Sequence, residues 1–178
     1  MMKKLIYNVP GLYRIIPLQL LRKTQGVDFD YLPGETFTHI DSIDRVLHEN
    51  NALSPGSIAN VERPWYMHPD QDDNLMVLHG VRFVDIYTKK HGKIEHFEVS
   101  VDKVLHNGIT LYEGGAILVW PRGVFHRIKS DIKGSASVNF AVHYDGFDIR
   151  TNFNIYDLNT ETGDYKIIRQ GYLDQPNI

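Results

Sequence analysis

The chain has 178 residues, 42% hydrophobic and 23% charged, which suits one globular domain with a sizeable core and excludes wholesale disorder. Its formal charge of −3 and its isolated basic pairs exclude the clustered cationic surface that nucleic acid or an anionic membrane needs. The absence of cysteine removes disulfides, thiolate metal ligands and cysteine nucleophiles together, and fits a reducing, cytoplasmic setting.

The opening MMKKLIYNVPGLYRIIPLQLL resembles a signal peptide only briefly, because Asn8, Pro10 and Arg14 interrupt its apolar run. No apolar run approaches the ~20 residues of a spanning helix, so no membrane segment is expected. Residues 3–9 alternate as a short strand that Pro10-Gly11 ends. Residues 12–24 are partly helical in period until Pro17 breaks the pattern, and residues 25–40 read as loop around Gly26, Pro33 and Gly34. Asp41-Ser42 offers N-caps for a helix to about Glu49, with Ile43, Val46 and Leu47 on one face.

From residue 57 the texture changes to strands. Ser57–Met67, Leu75–Leu78, Val81–Thr88, Glu95–Val101, Gly108–Tyr112, Ala116–Trp120, His126–Ile128 and Ser135–Tyr144 form the series. Short strands spaced this closely, with Gly, Pro or Asn-Gly between them, predict an all-β sandwich or barrel. Asn107-Gly108 is the strongest hairpin turn of the set. Phe147–Leu158 and Tyr165–Arg169 add a last hairpin. The expected organisation is an N-terminal extension (1–56), a β-barrel (57–145) and a C-terminal hairpin and tail (146–178) within one domain.

Two histidines stand out because each follows or ends a predicted strand. His68 precedes Pro69 and an acidic turn, and His126 follows the Pro121-Arg122-Gly123 turn. The run Gly115, five residues, Pro121-x-Gly123, two residues, His126 resembles the second motif of the cupin superfamily, departing only at Ser130, where the family has Asn. With six residues between it and Gly80, Asp73 stands where the family's first motif has glutamate, and four residues separate it from His68; the motif's first histidine is then Tyr66. A rival register takes His68, Asp70 and Asn74 instead, but shortens the spacing to Gly80.

The resemblance covers about half the chain and implies a cupin-type barrel or jelly roll with a site inside it. It implies that His68, Asp73 and His126, with Asp70 as the alternative ligand, hold a divalent transition metal: Fe, Mn, Ni or Zn. On that reading the protein is a small-molecule enzyme of isomerase, epimerase, lyase or dioxygenase type, and Tyr66 or His143 handles protons. The alternative is a metal-free module binding a sugar or other small polar ligand, its histidines satisfied by Asp73 and Tyr66. A homodimer is expected, since barrels of this kind leave edge strands for a partner to cover. No GxSxG elbow, P-loop or GxGxxG occurs, so hydrolase, NTPase and dinucleotide readings lack support.

Overall fold

The computed structural model describes residues 7–176. The strands in chain order are β1 (Tyr7–Val9), β2 (Tyr13–Pro17), β3 (Gln19–Thr24), β4 (Val27–Tyr31), β5 (Ser42–His48) and β6 (Leu53–Ser54). Then come β7 (Trp65–Met67), β8 (Gln71–Tyr87), β9 (Glu95–Val99), β10 (Lys103–His106), β11 (Ile109–Glu113), β12 (Ala116–Trp120) and β13 (Phe125–His143). A single helical turn, α1 (Ile149–Asn152), starts at Asp148, whose carboxylate accepts from the Arg150 amide. It leads into the hairpin of β14 (Ile155–Leu158) and β15 (Tyr165–Arg169).

Two long strands carry the architecture. The first half of β8 pairs with the second half of β13, and the second half of β8 pairs with the first half of β13. The register between them shifts near Gly80 and Gly134, both in the left-handed region, where φ is +71° and +77°. A Cβ on Gly80 would collide with the Gly134 carbonyl, so only glycine lets the strands cross this closely. Around this crossing, thirteen strands form one antiparallel sheet running β1-β2-β12-β8-β13-β7-β14-β15, with β5 and β6 added on β13 and β9 to β11 on β8. Among the described residues the pairing does not return to its first strand, so the sheet is open there and the expected barrel is not confirmed.

The main core lies on the inner face, where Ile15, Leu75, Val84, Phe97, Val99 and Leu118 pack together. A smaller cluster of Ile16, Ile117 and Val119 lies on the opposite face, as strand alternation demands. No helix of the described residues is long and apolar enough to cross a membrane.

Several local expectations are corrected. Residues 42–48 are a strand, not a helix: β5 alternates in burial along its whole length and pairs with Ser135 to Ala141 of β13. The i, i+3, i+4 spacing of its apolar residues fits a helix, but in the strand Ile43 and Leu47 are exposed and Val46 lies on the other face, and pairing with β13 decides. The region read as a broken helix and a loop is instead β2 followed by the β3–β4 hairpin. Leu75–Leu78 and Val81–Thr88 merge into β8, as the two late strands merge into β13, because both glycines bend their strands without ending them. Of Ser57–Met67 only Trp65–Met67 is strand, and part of the expected strand 147–158 is α1. Of the expected strand 3–9, residues 3–6 lie outside the described residues and Tyr7–Val9 is β1.

Candidate active site

The bent β8–β13 pair leaves a cavity of about 300 Å³ on the inner face of the sheet, with the two histidines at one end. Tyr66 comes from β7 and His68 from just beyond its end, while alternation along β8 turns Gln71, Asp73 and Leu75 inward. His126 stands second in β13, delivered by the tight turn at Pro121-Arg122-Gly123. The cluster is dry: His68, Asp73 and His126 are each 4% exposed.

Asp73 is the hub. Its Oδ2 accepts from Trp120 Nε1 at 2.9 Å, and its Oδ1 accepts from Gln71 Nε2 at 2.7 Å and Asn139 Nδ2 at 2.8 Å. The same Oδ2 lies 3.2 Å from His68 Nε2 and 3.7 Å from His126 Nε2. Each imidazole is anchored from behind: His68 Nδ1 donates to the Asn152 carbonyl at 2.5 Å, and His126 Nδ1 donates to the Val124 carbonyl at 3.2 Å. A carbonyl can only accept, so both rings carry their first proton on Nδ1. Each Nε2 then faces the carboxylate either as a lone pair or as a second N–H.

The surroundings divide these options. Burial opposes charge on His68, but the Asp73 carboxylate beside it outweighs that effect and raises its pKa. Burial, with the neighbouring charge of His68, lowers His126 to about 4. Burial also works against the ionised form of Asp73, yet the two imidazoles and Gln71 hold it below the usual carboxylate range. The surroundings therefore favour an ion pair of Asp73 and His68 beside a neutral His126. Tyr66 closes the group, its ring centroid 5.9 Å from that of His126; burial pushes its phenol above the ordinary value, so it stays protonated.

The structure brings His68, Asp73, His126 and Tyr66 to one cavity and leaves two candidates outside. Asp70 sits in the bend between β7 and β8 and pairs with Arg122 at 3.6 Å. It does not join the ligand cluster of His68, Asp73 and His126. His143 is the last residue of β13; its ring lies flat on Phe147, centroids 3.5 Å apart, and does not line the cavity. The residues not foreseen are the orienting ones Gln71, Asn139 and Asn152; Trp120, which the sequence places beside the motif as a pocket wall, also donates to Asp73. Asn139 is the one with a signal, as a polar residue within the otherwise apolar run VNFAV.

As to metal, the donor set fits. The ligand atoms of His68, Asp73 and His126 lie within 4.8 Å of one another, and the carbonyl partners of both Nδ1 atoms are the outer contacts that orient metal-binding histidines.

No family model matches the chain, and no curated protein is similar to it. Solved structures are. QdtA, a sugar 3,4-ketoisomerase from Thermoanaerobacterium thermosaccharolyticum in complex with TDP, is 11% identical with a TM-score of 0.55, over 79% of this chain and 85% of that one. NovW, a 4-keto-6-deoxy sugar epimerase from Streptomyces spheroides, is 10% identical with a TM-score of 0.55, over 79% and 68%. The rmlC epimerase of Mycobacterium tuberculosis is 12% identical with a TM-score of 0.54, over 78% and 67%. At these identities the likeness is one of fold: a cupin-like, RmlC-type β architecture.

Proposed function

We propose that the chain is a cupin-fold isomerase or epimerase of carbonyl sugars, moving a proton on a carbon beside the carbonyl. The observation that carries this reading is the pair of imidazoles on one buried carboxylate, whose surroundings push their pKa values in opposite directions. Groups whose surroundings push their pKa values apart are the natural base and acid of a proton transfer. Neutral His126 takes the proton from the carbon. The His68 imidazolium, fixed by Asp73, faces the negative charge that develops on the carbonyl oxygen. Tyr66, a protonated phenol in the same cavity, returns a proton. The three neighbours, by their names, isomerise or epimerise sugars, which supports the substrate class.

A second reading is favoured by the donor set. His68, Asp73 and His126 would hold a divalent transition metal (Fe, Mn, Ni or Zn), which would supply Lewis-acid polarisation of a bound carbonyl. In either reading a homodimer is supported by the exposed apolar side chains of the β3–β4 hairpin, among them Leu20, Leu21, Val27 and Phe29.

The test is deuterium exchange from D2O into a panel of keto sugars, free and nucleotide-linked, with and without EDTA, on protein made without a histidine tag. Exchange that survives EDTA and is lost in His126→Gln supports acid–base catalysis. Exchange lost with EDTA and restored by one of the four metals supports the second reading. No exchange with any keto sugar overturns both.

A further inference from the structure

The other end of the same cavity is built differently. Arg82, 1% exposed, enters from β8 two residues after Gly80. Its Nε donates to Ser135 Oγ at 3.1 Å and its Nη2 to the Val46 carbonyl at 3.0 Å. No carboxylate among the described residues forms an ion pair with it, and burial alone pulls its guanidinium down to about 10. Asp44, the nearest acid along β5 that lines the cavity, spends its carboxylate on Asn139 Nδ2 and Ser42 Oγ.

Two further groups at this end have no partner. Ser137 Oγ and His48 Nδ1 are both buried and unbonded, and both residues line the cavity. The strand register keeps them close to the guanidinium: Ser137 lies opposite Val46, and His48 opposite Ser135, the two residues that Arg82 grips. Buried charges are ordinarily paired, and buried polar atoms ordinarily bonded. Here a guanidinium without a carboxylate, a hydroxyl and an imidazole nitrogen without hydrogen-bond partners belong to residues that line one cavity.

We infer that the cavity receives ligands carrying an oxyanion, a carboxylate or a phosphoryl group, which docks on Arg82 beside Ser137 and His48. A guanidinium offers the paired donors that such a group accepts, and the hydroxyl adds another. The substrate class then narrows to an acidic or phosphorylated carbonyl sugar, anchored at this end with its reacting carbons toward His126. That narrowing rests on the preceding reading for the chemistry at the histidine end; the anion contact stands apart from it.

The experiment is calorimetric titration of the full chain with inorganic phosphate and with glycolate, alongside NMR of the His48 ring. Wild type binds at least one of the two anions at one site, with the His48 resonances shifting. Arg82→Gln weakens that binding roughly thirtyfold or more, as loss of a buried charge partner does. Ser137→Val weakens it by roughly fivefold, as loss of one hydrogen bond does. Phosphate alone points to a sugar phosphate, and glycolate alone to a sugar acid. Binding by neither anion, or equal binding in Arg82→Gln, overturns the inference. Should Arg82→Gln fail to fold, unchanged affinity in Ser137→Val with unmoved His48 resonances overturns it. Anion binding without turnover of any keto sugar would sink only the proposed function; turnover of neutral keto sugars with no anion bound would sink only this inference.

Discussion

His68 and His126 face each other with ring centroids 4.8 Å apart and turn their Nε2 atoms on a single oxygen of Asp73. One carboxylate cannot support two imidazolium ions at this separation without strong repulsion between them. The nearer ring, at 3.2 Å, takes the charge, and the farther, at 3.7 Å, stays neutral.

Removing the carboxylate therefore unmakes both roles. Asp73→Asn is expected to lower the His68 pKa, since Asp73 is what raises it against burial. Catalysis should fall by roughly 10²- to 10⁴-fold, the usual contribution of a positioned acid or base. NMR titration of the imidazoles checks the first effect and deuterium exchange the second. An unmoved His68 titration would refute the ion-pair assignment.

Acid should act first through His126. Its folded pKa near 4 lies below the unfolded value of about 6.5, so its contribution is complete above pH 6.5 and is lost as pH falls toward 4. The amount at stake is about 3 kcal/mol. His48, also lowered to about 4, by burial and then by Arg82, adds to the same loss. His68 runs the other way, its share complete below pH 6.5 and lost as pH rises through its raised value. Denaturant unfolding from pH 7 to 4.5 should show stability falling steeply in wild type and less steeply in His126→Gln.

Tyr66→Phe keeps the ring and loses the hydroxyl. Product formation should drop by roughly 10²-fold or more, while deuterium exchange at the carbon attacked by His126 continues. Equal loss of both would place Tyr66 on substrate binding instead of proton return.

The strand crossing gives a stability test free of chemistry. Gly80→Ala and Gly26→Ala both place a side chain at positive φ, +71° and +74°. Gly26 has open space around it, so its substitution should cost about 1 kcal/mol. Gly80 meets the Gly134 backbone, and its substitution should cost roughly 3 kcal/mol or more, read as the shift in denaturation midpoint.

What the sequence disclosed was local. The turn Pro121-Arg122-Gly123 and the spacing from His68 through Asp73 to Gly80 are short-range features, and the fold places them as strand chemistry requires. Asp70, the alternative ligand, falls outside the cluster because the chain bends at Pro69 and Asp70 before β8 begins. His143 was misplaced because a position on a strand does not tell where the cavity ends. The helix expected at residues 42–48 failed because the helical spacing of Ile43, Val46 and Leu47 is local, while the deciding partner lies some ninety residues away in β13 and leaves Ile43 and Leu47 exposed. Asn139 and Asn152 were out of reach for the same reason: one contacts Asp73 and the other His68 only after distant strands have assembled.

The three donors on Asp73 come from separate strands, Gln71 from β8, Trp120 from β12 and Asn139 from β13. Mutations at these positions should consequently be epistatic, each altering what the others can tolerate. A glutamate at position 73 is one methylene longer, so it could not keep its oxygens where these three donors now meet them without movement at their positions. Permissive changes at Gln71 or Asn139 would have to come first, which makes the short acid an evolutionary ratchet in this chain.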